Sequence, residues 1–88
     1  MAVMMRAETV IPIEGYEQLA KLGEDTMRKW PGFVAHVAWS EGEKMLLTEI
    51  WESADACSKY FAEVIHPRLP PGVKPQRVVT ELHNVIRK

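Results

Sequence analysis

Cysteine is almost missing from this 88-residue chain: Cys57 stands alone, so no disulfide can form within it. That usage fits a reducing compartment, and the expected location is cytoplasmic. No apolar run approaches the ~20 residues that span a bilayer. Arg6 breaks the N-terminus before an apolar signal region is complete, so no membrane partner is expected. A surplus of one charge is also lacking. Eleven basic and 12 acidic residues leave a net charge of −1, and no basic patch invites nucleic acid. There is no glycine-rich phosphate loop and no Ser-His-Asp pattern. His36, His66 and His83 lack the close spacing of a metal site, so none is expected.

What is present is a strict order of patterns. Residues 2–11 alternate as a strand that Pro12 ends, because proline donates nothing to a ladder. Residues 13–30 place Tyr16, Leu19, Ala20, Gly23, Met27 and Trp30 on one helical stripe, with Pro31-Gly32 as the stop. Gly23 is expected where the helix approaches the sheet closely. Residues 33–40 and 44–51 read as strands joined through Glu41-Gly42-Glu43. Ser53 reads as the N-cap of a second helix that runs to residue 66 and buries Ala54, Cys57, Ser58, Phe61, Ala62 and Ile65. A proline-rich loop leads to a last strand over residues 76–87.

Strand, helix, strand, strand, helix, strand over residues 1–88 predicts a single α+β domain. Its two crossovers give a ferredoxin-like βαββαβ fold on a four-stranded antiparallel sheet. In the second strand Phe33, Ala35, Val37 and Trp39 alternate with Val34, His36, Ala38 and Ser40. In the third, Met45, Leu47, Glu49 and Trp51 alternate with Leu46, Thr48 and Ile50. Both faces of both strands are largely apolar, whereas a sheet with one face in water alternates more cleanly. One face is therefore expected under the helices and the other under a partner subunit.

Pro31-Gly32-Phe33, Glu49-Ile50-Trp51-Glu52-Ser53 and the terminal Leu82-His83-Asn84-Val85 together resemble the dimeric α+β barrel superfamily. Within it the chain is similar to the antibiotic-biosynthesis-monooxygenase-like group, in an uncharacterised branch. The resemblance covers the whole chain. It implies a homodimer with its sheets face to face and a pocket between sheet and helices in each subunit. Members include cofactor-independent oxygenases of polyphenolic substrates, polyketide cyclases, haem-degrading enzymes and proteins with no known activity, so fold alone leaves function open.

The residues themselves narrow the chemistry. His36, mid-strand among apolar neighbours, is the candidate general base, since imidazole exchanges a proton near neutral pH. His83 is the candidate assistant, sharing a face with Glu81. Glu49 on an apolar strand needs a partner; Arg6 and a basic residue of a second subunit are the candidates, in an ion pair rather than as a base. Trp39, Trp51, Phe61 and Asn84 are expected, with Glu49, to shape a pocket for a flat aromatic ligand. The resemblance implies oxygenation of a small aromatic or polyphenolic metabolite with no cofactor. A polyketide cyclase and a non-enzymic ligand-binding dimer are the alternatives, with haem degradation behind them.

Overall fold

A computed structural model describes residues 1–10, 13–69 and 71–87. The strand end assigned to Ile11 and Pro12, and Pro70 of the loop, lie outside the described residues. The elements run β1 (Val3–Val10), α1 (Ile13–Lys29), β2 (Phe33–Glu41), β3 (Lys44–Trp51), α2 (Ala54–Tyr60) and β4 (Gln76–Glu81). A π-helical turn (Phe61–Ile65) and a 3₁₀ turn (His66–Arg68) extend α2. The strands form one antiparallel sheet in the order β2-β3-β1-β4, which is the ferredoxin-like arrangement expected.

Local chemistry sets the boundaries. Glu14 opens α1 and Arg28 and Lys29 close it, matching the helix dipole. Gly32 turns the chain into β2 at φ 88°, and a Cβ there would stand 2.8 Å from the Ala56 Cβ. The Ser53 Oγ accepts the Ala56 N–H at 3.1 Å and caps α2. The hairpin between β2 and β3 turns through two residues, with Gly42 at φ 60° and Glu41 paired to Lys44.

The helix-covered face holds Val3, Met5 and Ala7 of β1 against Trp51, Glu49 and Leu47 of β3. Trp51 is fully buried, with its ring 5.4 Å from Phe33 and 5.2 Å from Tyr60 between centroids. The outer face leaves Val37 59%, Val78 53% and Trp39 41% exposed.

Four expectations need correction. A β-bulge at Val34 shifts the alternation of β2, so Phe33 shares the helix-covered face with His36 rather than with Val37 and Trp39. The buried stripe of the second helix is Cys57, Tyr60 and Val64, while Ala54, Ser58 and Ala62 are exposed. Gly23 makes its close approach to α2, not to the sheet: its carbonyl accepts the Tyr60 hydroxyl, and an added Cβ would lie 3.1 Å from that oxygen. The last strand stops at Glu81, with one further backbone bond from Leu82 N–H to the Ala2 carbonyl.

Candidate functional site

The two-residue turn fixes the register of the β2–β3 hairpin, and the register brings His36 opposite Glu49. A three-residue connection would set His36 against Thr48, with Glu49 on the other face, because a one-residue slip inverts every side chain. The His36 Nδ1 lies 2.8 Å from Glu49 Oε2, and its Nε2 lies 2.8 Å from the Tyr16 hydroxyl. Trp51 Nε1 donates to Glu49 Oε1 at 2.9 Å. The donors can be assigned from this chain. A carboxylate accepts from Nδ1, and with the ring neutral Nε2 is then the acceptor for the Tyr16 hydroxyl.

Glu49 is 5% exposed, and its two oxygens are each bonded, as a buried carboxylate requires. Arg6, the partner considered for it, points to the opposite face across from Thr48. Burial first, and then the negative charges of Glu49 and Glu24, push the Tyr16 hydroxyl above its ordinary pKa of 10.0, so Tyr16 stays a phenol. The outcome is a Tyr16–His36–Glu49 chain of hydrogen bonds, with Trp51 fixing its buried end.

This chain forms part of the wall of a cavity of about 590 Å³ between the sheet and the helices. That lies within the range of small-molecule sites, roughly 300–1,000 Å³. Small residues make the space: Ala7 and Thr9 on β1, Ala20 and Gly23 on α1. The π-helical turn, whose extra residue widens the helix, contributes Phe61 and Ile65. Among the described residues no group of three or more metal-binding side chains occurs. Nor is any described helix long and apolar enough to cross a membrane.

His36, Glu49 and Phe61 thus line one cavity. Trp51 stands behind it, holding Glu49 rather than facing the space. Trp39 lies on the outer face of the sheet, opposite Leu46, and does not reach the cavity. His83 and Asn84 follow the end of β4, are exposed and do not line it. The early end of β4 separates them from the site. Tyr16 and Arg77 are among the polar lining residues that sequence reasoning left without a chemical role. Tyr16 was visible as one apolar position of a helix stripe. Arg77 shares the parity of Val79 and Glu81 on β4, which is the signal that places it inward.

No family profile and no curated protein sequence matches the chain. Solved structures do match its fold. A point mutant of SnoaB, a cofactor-independent oxygenase from Streptomyces nogalater, aligns with a TM-score of 0.74 at 16% identity, over 99% of this chain and 98% of that one. A candidate antibiotic biosynthesis monooxygenase from Deinococcus radiodurans aligns at 0.68 with 14% identity, over 100% and 98%. The monooxygenase ActVA-Orf6 of Streptomyces coelicolor, solved with nanaomycin D, aligns at 0.59 with 17% identity, over 99% and 91%. The chain shares with these monooxygenase structures its fold, the ferredoxin-like α+β arrangement of a four-stranded antiparallel sheet under helices.

Proposed function

We propose that this protein is a monooxygenase of the cofactor-independent type, acting on an electron-rich phenol bound flat in the cavity. The observation that carries the reading is His36 in the wall of an apolar space, with Nδ1 2.8 Å from a buried carboxylate and Nε2 2.8 Å from a tyrosine hydroxyl. A substrate hydroxyl entering the cavity gives its proton to the Tyr16 oxygen while Tyr16 gives its own to His36. Glu49 stabilises the imidazolium that forms, as a carboxylate on Nδ1 does in catalytic triads. The phenolate is electron-rich enough to reduce dioxygen itself. One oxygen atom enters the ring carbon, the other leaves as water, and the phenol becomes a quinone. The kinship in fold with proteins named as monooxygenases supports this chemistry.

The same reading holds that two copies pair through the exposed outer face of the sheet, where Val37, Trp39 and Val78 are bare. Exposed apolar surface of that kind marks an interaction site.

Oxygen uptake with an anthrone or a naphthol, with no metal or flavin added, is the test. The expected result is turnover that falls by about 10²–10⁴ in His36→Ala, the usual worth of a general base. Undiminished turnover in that variant removes His36 from the mechanism. Conversion of a polyketide chain without oxygen would replace the oxygenase reading with a cyclase.

A further inference from the structure

We infer that Arg77 forms an anion subsite at the end of the cavity away from His36, and that the ligand is a fused-ring aromatic bearing a carboxylate as well as a phenolic hydroxyl. The inference rests on the aromatic-pocket reading above and specifies its ligand. Arg77 lines the same cavity as His36, but from β4, whereas His36 sits on β2. These are the two outer strands, three interstrand steps apart, or about 14 Å of sheet. The α1 helix supplies Tyr16 at one end, and the π-helical turn supplies Phe61 at the other.

The guanidinium is left under-satisfied by the protein. Its Nε is buried without a partner among the described residues. Its hydrogen bond among the described residues is a long one, Nη2 to Cys57 Sγ at 3.7 Å. Cys57 does not serve as a counter-ion, because burial pushes its thiol up against the opposite pull of Arg77 and keeps it neutral. The two acids in the cavity wall are already engaged, Glu49 by His36 and Trp51, and Glu24 by Arg28 at 2.6 Å. Arginine cannot shed its proton to relieve the strain of burial. The Arg77 guanidinium carbon lies 3.7 Å from the Phe61 ring centroid, a cation–π contact that leaves the Nη N–H groups for a planar acceptor. A carboxylate meets those groups with the matching fork geometry. Ala7, opposite Arg77 on β1, keeps the floor between the two ends low enough for a flat ring system.

The test is calorimetric titration at neutral pH with 6-hydroxy-2-naphthoate and its uncharged carboxamide, which place hydroxyl and acyl groups at opposite ends of one ring pair. Wild-type protein should bind the acid at least about tenfold more tightly than the amide, one charge-assisted contact's worth. Arg77→Gln should bring the two affinities together by weakening the acid alone, and Arg77→Lys should restore part of the difference. Equal affinities in the wild type overturn the subsite while leaving the aromatic pocket intact. Failure of both probes to bind overturns the pocket reading and the subsite with it. The wild-type comparison needs no variant to fold.

Discussion

The helix-covered side of the sheet has a filled end and a hollow end, and the same strands build both. At the filled end the row Val3–Trp51–Phe33 packs against α2, with Trp51, Tyr60 and Trp30 joined ring to ring at centroid distances of 5.2 and 5.5 Å. Two rows further along, alanine and leucine replace the aromatics at Ala7 and Leu47, and the space stays open. The row Met5–Glu49–His36 lies between them. A carboxylate anchored by Trp51 in the solid part therefore aims an imidazole along the wall of the empty part. Rigid packing on one side is what holds a reactive geometry on the other.

Trp51→Ala attacks that division most severely. It opens the core and removes the hydrogen bond to Glu49, and it should lower stability by about 3–5 kcal/mol, read from urea unfolding. A cost near that of a surface substitution would show that the filled end is not the foundation of the site.

The contrast between the two faces of the sheet gives the next test. Trp39→Asp places charge on the outer face without touching the cavity, and it should shift sedimentation from twice the 10.0 kDa chain mass toward the single chain. Mass equal to one chain in the wild type at micromolar concentration contradicts the proposed pairing.

Filling the hollow end should do little harm. Ala20→Leu puts four carbons' worth of side chain on a good helix position facing empty space, so stability should rise by about 0.5–2 kcal/mol while phenol binding is lost. A large loss of stability would mean the space is not free.

The smallest effect is on pH. Burial raises Tyr16, Tyr60 and Cys57 above their ordinary values of 10.0, 10.0 and 9.0, so the folded state favours their protonated forms. Their contribution is complete below those values and declines as pH rises through the higher folded ones. The unfolding midpoint attributable to them should hold level up to about pH 9 and then fall, less steeply in Tyr16→Phe.

Element order, the span of β3 and the candidacy of His36 and Glu49 were legible because alternation and helical spacing are local signals. The bond between those two residues was not, because it depends on whether the hairpin turns in two residues or three. Phe33 changed faces for a similar reason, as the bulge at Val34 adds a residue that no local pattern announces. Tyr16 joined the site through the packing of α1 over the sheet, and Trp39 left it through the parity of its strand. His83 and Asn84 were carried outside by the early end of β4.

The most direct measurement is ¹⁵N NMR of the His36 ring in the neutral state. Glu49 should hold the proton on Nδ1, leaving Nε2 with the shift of an unprotonated, hydrogen-bonded nitrogen. Glu49→Gln, whose amide oxygen can still accept from Trp51 while its NH₂ donates to Nδ1, should move the proton to Nε2. A wild-type ring protonated on Nε2, or one unchanged by Glu49→Gln, would contradict the claim that Glu49 prepares His36 as a base.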